Sequence, residues 1–144
     1  MSINSRFAVA VHILTLLDYA PDQRMSSEMI AGSVNTNPVV IRRIMGQLNR
    51  AGLIATSPGV AGASLTRKAS AITLLDVYAA VQQENRDDLF AIHDNPNPAC
   101  QVGRNIQGAL EISFKQAQTA MEQELARMTI ADLTAQMGED ETNA

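Results

Sequence analysis

Tryptophan is absent from these 144 residues, aromatic residues make up 3%, and there is a single cysteine. One cysteine rules out an intrachain disulfide framework and suits a reducing compartment. So few aromatics leave core packing to Leu, Ile, Val, Met and Ala. No apolar run approaches the roughly 18 residues that a membrane span needs. The N-terminal MSINSRFAVAVHIL carries one basic residue, and Asp18 and Tyr19 continue its helical pattern, so it does not read as a secretory signal. G-x-S-x-G, H-E-x-x-H and P-loop motifs are all missing, and the acids have no partner at a telling spacing. These absences predict a cytoplasmic protein that is not an enzyme, has no catalytic or metal-ligating set and does not engage a membrane.

What is present is 46% hydrophobic residues, enough for one compact domain with a real core. The net charge of −4 argues at first against nucleic acid, but its distribution does not. Residues 1–70 hold seven basic and three acidic side chains, a balance of +4, whereas residues 71–144 hold four and twelve, a balance of −8. Such asymmetry suggests a front that meets a polyanion and an acidic rear.

The periodicity predicts a helix over 3–20, with Phe7, Val11, Leu14 and Leu17 on one stripe, ended by Ala20-Pro21-Asp22. Ser26 or Ser27 can cap a second helix running to about Val34. Asn37-Pro38 is a strong start for a third, a capping side chain followed by proline at the first helical position. In that helix Val40, Ile41, Ile44, Met45 and Leu48 face inward, and Val39, Arg42, Arg43, Gln47 and Arg50 lie mostly on other faces. Gly52 closes it as a left-handed cap. Short strands at 53–56 and 63–66 flank the loop Ser57-Pro58-Gly59-Val60-Ala61-Gly62. A helix over 72–83 follows, then a loop at about 84–103 with the lone Cys100. A long helix over about 104–128 carries Ile106, Leu110, Phe114, Ala117, Met121, Leu125 and Met128 on one stripe. A domain of about seventy residues cannot cover such a stripe, so a second copy is its natural cover. Residues 130–137 read as a short helix and 138–144 as a frayed acidic tail.

Helix, short turn, basic amphipathic helix and glycine-tipped hairpin, in that order, predict a mainly α winged helix-turn-helix. The division expected is 1–83 for DNA binding, 84–103 as connecting loop, 104–137 for the dimerisation and terminal helices, and 138–144 as tail. Arg42 and Arg43 are adjacent and so point about 100° apart; one can reach a base edge while the other meets a phosphate. An arginine fork matches guanine O6 and N7. Thr36, Asn37 and the helix N-terminus can hold a phosphate, and Arg67 and Lys68 can close the wing on the DNA backbone. Ser5, Arg6, Ser26, Val39, Gln47, Arg50, Gly59 and Gly62 complete the candidate face.

Cys100 lies shortly before the long helix with Arg104 close by, a setting that can favour thiolate. Redox sensing and simple packing as a small hydrophobe are both open to it. His93 and Asp94 lie nearby, but without a C-x-x-C partner they make a weak metal site. His12, amid Val9, Val11 and Ile13, reads as a packed structural residue.

These segments resemble the Rrf-two family of bacterial winged-helix regulators. The likeness lies in Ser5-Arg6-Phe7-Ala8-Val9, Ser26-Ser27-Glu28-Met29-Ile30-Ala31, and Asn35-Thr36-Asn37-Pro38 with Val40-Ile41-Arg42-Arg43-Ile44. It continues in Leu48-Asn49-Arg50-Ala51-Gly52-Leu53-Ile54, Gly59-Val60-Ala61-Gly62, Ile72-Thr73-Leu74-Leu75-Asp76-Val77-Tyr78, Cys100 to Ile106 and the long helix. The resemblance implies a homodimeric repressor with crossed long helices, binding double-stranded DNA at a pseudo-palindrome. Cluster-binding members carry three cysteines before the long helix and this chain has only Cys100, so no cofactor is expected and an iron–sulfur cluster does not fit. A small-molecule or oxidant effector stays open. The competing readings are a winged-helix module that binds protein instead of DNA, and a regulator controlled by a metal or cluster.

Overall fold

The computed structural model describes residues 3–82 and 92–143. Six helices and one two-stranded sheet follow in the order α1 (Ile3–Tyr19), α2 (Ser27–Val34), α3 (Pro38–Arg50), β1 (Ile54–Ser57), β2 (Val60–Leu65), α4 (Leu74–Gln82), α5 (Gln101–Leu125) and α6 (Ile130–Asn143), with a 3-10 turn at Ala69–Ala71 before α4. This is the expected mainly α winged helix-turn-helix. Expectations for residues 83–91, including the start of the connecting loop, lie outside the described residues.

Local chemistry sets the helix ends. The Ser26 side chain accepts the Met29 N–H, and the Asn37 side chain accepts the Val39 N–H with Pro38 behind it, which satisfies amides that would otherwise be orphaned. Between α2 and α3 the chain turns through Asn35, held at φ 62° and ψ 50° with its N–H on the Ala31 carbonyl. Asparagine tolerates that left-handed conformation better than most residues. At the other end of α3, Gly52 has φ 78° and the Leu53 N–H returns to the Leu48 carbonyl at 3.0 Å, the hydrogen bond of a left-handed helix terminus.

The core is where α1, α2, α3, α4 and the foot of the hairpin meet. Ile13, Leu14, Ile30, Ile41, Ile44, Leu48, Leu53, Ile54, Ile72 and Val77 are fully buried there. Phe7 meets Tyr78 edge-on with ring centroids 5.5 Å apart. Two capping boxes, each a threonine and an aspartate three residues on, then fix the rear. Thr73 and Asp76 exchange hydrogen bonds at 3.0 and 3.1 Å, as do Thr129 and Asp132. Thr73 and Thr129 also pair as an antiparallel bridge, so the starts of α4 and α6 are tied back to back.

That tie corrects the expected rear. The long helix begins at Gln101 and ends at Leu125, because residues 126–130 turn back to meet 72–74; the Met128 carbonyl accepts the Leu74 N–H at 2.9 Å. Met128 is therefore off the helical stripe. The helix after it runs to Asn143, through the segment expected to fray. It lies against α1 and places Ile130 fully buried in the core. Residues 130–137, expected as a short helix, thus form the first part of α6 and pack against α1.

Candidate DNA-binding face

The third helix presents one side to the core and the other to solvent. Ile41, Ile44 and Leu48 are buried, whereas Arg42, Arg43, Asn49 and Arg50 are exposed. Val39, in its first turn, is 59% exposed. Among the described residues no hydrogen bond or ion pair holds the Arg43 guanidinium, so it projects with its full set of donors. Arg42 is engaged: its Nη2 lies 2.9 Å from Glu28 Oε1 and its Nε donates to Ser27 Oγ at 3.3 Å. The Glu28 carboxyl is held below its ordinary value, first by its own backbone amide, then by hydrogen bonds from Arg42 and Ser27.

The wing is shorter and tighter than expected. β1 and β2 pair antiparallel from Ile54–Leu65 through Thr56–Ala63, then slip so that Ser57 pairs with Val60. The tip is therefore Pro58-Gly59 alone, and Ala61 and Gly62 form a bulge. Gly62, expected at the tip, instead sits against the segment before α2. Its φ is 92°, and an added Cβ would lie 2.8 Å from the Arg24 carbonyl carbon. Arg24 donates to the carbonyls of Ala61 and Gly62 at 3.3 and 3.1 Å, and Met25 bridges to Ala63. Gly62 is a packing position at the wing's side.

Several other expected contacts find other uses. Gln47 is 2% exposed, with neither amide atom hydrogen-bonded; it faces the core and cannot touch DNA. Arg67 is exposed but pairs with Asp76 at 3.2 Å, tying the strand exit to α4. Lys68 is exposed beside it. Asn37 spends its side-chain oxygen on the Val39 N–H at 2.8 Å and Ser26 its hydroxyl on Met29. Thr36 is half-buried in the turn, Ser5 is exposed in the first turn of α1, and Arg6 is half-buried with its Nε enclosed and without a partner. His12, read as packed, is exposed, with Nε2 3.1 Å from Ser33 Oγ.

A cleft of about 340 Å³ separates α3 from the wing, lined by Ser27, Arg42, Met45, Gly46, Asn49 and Thr56. Asn49 and Thr56 are donors that the sequence did not single out, because only the hairpin's fold brings Thr56 opposite α3.

On the rear, α5 spans 25 residues and buries none of them. Ile106, Leu110, Phe114, Met121 and Leu125 are half-buried and Ala117 is exposed. Val102, at the edge of that stripe, is 67% exposed, and Ile112, on the far side of the helix, is 64% exposed. Cys100 is exposed at the N-cap of α5, and its side chain makes no cap hydrogen bond.

A capped third helix, a two-stranded wing beside it and a long amphipathic rear helix make the fold of a winged helix-turn-helix regulator. The model of the Rrf2 family, described as an iron-dependent transcriptional regulator, matches residues 3–136, and the chain belongs to that family of transcriptional regulators and is not an enzyme. It is 51% identical over 131 residues to YwnA of Bacillus subtilis, whose name places it among HTH-type transcriptional regulators; the match covers 91% of this chain and 96% of YwnA. A crystal structure of a protein described as DNA-binding is 45% identical, with a TM-score of 0.74, over 89% of this chain and 97% of that one. CymR, the global cysteine regulator of Bacillus subtilis, shares the fold with a TM-score of 0.66 at 18% identity, over 94% of this chain and 97% of CymR. Among the described residues no helix is long and apolar enough to cross a membrane.

Proposed function

We propose that this chain is a cytoplasmic, homodimeric repressor that reads a pseudo-palindromic operator through α3 and the wing. The observation carrying the reading is Arg43, exposed on a capped helix with no partner among the described residues, beside Arg42 and next to a cleft lined with donors. Arg43 meets a guanine edge, Arg42 exchanges Glu28 for the DNA, and the α3 N-terminus with Asn37 takes a phosphate. Lys68 contributes charge, and Arg67 contributes only by leaving Asp76.

The dimer is supported by α5, which has no buried residue and leaves Val102 and Ile112 in water. A second copy of the helix would cover the expected stripe, with Val102 at its edge. Control by an iron–sulfur cluster does not suit the donors: one cysteine per chain offers one thiolate, and among the described residues no three His, Cys, Asp or Glu are grouped for a metal. A thiol response would act through Cys100, exposed where the connecting loop enters α5.

Selection of bound fragments from genomic DNA, repeated at rising salt, tests the reading. A repressor of this kind enriches sites with two half-sites about one helical turn apart and loses affinity linearly in log salt, at roughly −0.9 per phosphate contact. A winged module that binds only protein enriches no sequence at any salt.

A further inference from the structure

A cavity of about 270 Å³ opens between α1, the last turn of α2 and α6, lined by His12, Thr15, Leu16, Tyr19, Ser33 and Met137. Its walls are two-natured. Leu16, the Tyr19 ring and the Met137 thioether supply apolar surface, and the Thr15 hydroxyl is turned away onto the Val11 carbonyl at 2.7 Å. One edge is polar: His12 Nε2 and Ser33 Oγ lie 3.1 Å apart. With His12 donating to it, the Ser33 hydroxyl keeps its own O–H for an acceptor.

We propose that this cavity is an effector site for a single aromatic ring bearing one acceptor oxygen, carboxylate or phenolic. The site is an open cleft, with Tyr19 53% and Met137 42% exposed. Its 270 Å³ exceeds the roughly 150 Å³ that takes a benzene ring when enclosed, which leaves room for a ring with its polar substituent. Tyr19 and Met137 favour an aromatic face, and His12 with Ser33 receives the oxygen. The position supplies the link to function. Ser33 stands two residues before the left-handed Asn35 that aims α3, so a ligand wedged between α2 and α6 bears on the orientation of Arg42 and Arg43. This regulatory part rests on the DNA-binding reading; the site itself does not.

The full chain, labelled with nitrogen-15, is titrated with benzoate, phenol and, as a non-aromatic control, cyclohexanol. Benzoate or phenol should give saturable amide shifts around residues 12–19, 33 and 137, and cyclohexanol none. His12→Leu and Ser33→Leu, both at exposed positions and checked for an unchanged thermal midpoint, should weaken that binding about tenfold. At saturation the bound probe should change DNA affinity by at least about fivefold, the low end of ordinary couplings, and this change should vanish in Ser33→Leu. Absence of saturable shifts from both aromatic probes, or shifts unaltered in both variants, overturns the site. Saturated binding with unchanged DNA affinity overturns its role as an effector site. If the chain holds no DNA at all, the regulator reading fails alone, and the titration still decides whether the cavity binds the ring.

Discussion

Arg42 on α3 and Glu28 on α2 stand 2.9 Å apart, Nη2 to Oε1. The pair is exposed, so it adds little to stability, but under the proposed function it parks one of two arginines of the reading face on a carboxylate that DNA would have to displace. Glu28→Gln removes both the competitor and a negative charge from the DNA face. Affinity should rise, and the gain should shrink as salt screens the charge. Fluorescence titration of a labelled operator at two salt concentrations checks this; weaker binding by the glutamine variant would show that Glu28 orients Arg42 for its base.

The same pair has a pH signature. The Glu28 carboxyl lies below its ordinary value of 4.5, chiefly through its own backbone amide and then through Arg42 and Ser27. A carboxylate lowered in the folded state lends its stabilisation above the unfolded value and loses it as pH falls through the folded one. Around neutrality the ion pair is intact, and Arg42 is released only in acid. A carbon-13 titration of the Glu28 carboxyl should therefore show a midpoint below 4.5. In Arg42→Ala the midpoint should move part of the way back, since the amide contribution stays.

Gln47 is buried with both amide atoms unpaired. An orphaned buried polar group costs about 1–3 kcal/mol, so Gln47→Met, similar in volume, should stabilise the fold by roughly 1–2 kcal/mol in urea unfolding. Operator affinity should stay as it was. A fall in affinity without loss of stability would return Gln47 to the DNA face.

Gly62→Ala should cost about 2–4 kcal/mol, because it forces a Cβ against the Arg24 backbone and adds a side chain at φ 92°. Gly32→Ala, in α2 with open space around the added carbon, should stabilise by about 0.5–1 kcal/mol. Thermal midpoints of the two variants moving in opposite directions would establish that Gly62 serves packing at the wing's side.

These cases show where the sequence was legible. Asn37-Pro38, Gly52 and the alternation of Ile41, Ile44 and Leu48 with Arg42 and Arg43 are local signals, and each sits where it was expected. Gln47 was misplaced because polarity suggested exposure, while only the packing of α3 on its neighbours decides that face. Gly62 looked like a turn residue because the hairpin's bulge and its contact with Arg24 are made across 38 positions. The end of the long helix escaped for a similar reason. Met128 continues the apolar spacing, yet the Thr73–Thr129 bridge draws residues 126–130 back to α4. The Thr-x-x-Asp spacing at 129–132 was the signal for a new helix start.

The dimer proposal predicts that Leu110→Glu or Ala117→Glu places two unpaired charges in a helix-to-helix seam and splits the assembly. Light scattering at micromolar concentration should give the dimer mass for the parent and the monomer mass for the variants, with circular dichroism unchanged. A parent that already scatters as a monomer would leave α5 without its partner.

The most direct measurement compares Arg43→Ala with Arg42→Ala and the parent, titrating each onto a selected operator and onto a scrambled duplex. Arg43→Ala should lose about 1–3 kcal/mol on the operator and far less on the scrambled DNA. Arg42→Ala should lose less, since the parent must first break the contact with Glu28. Both variants should unfold at the parent's midpoint, because neither side chain is in the core. Operator binding by Arg43→Ala as tight as the parent's, or an equal loss on both duplexes, would contradict α3 as the helix that reads sequence.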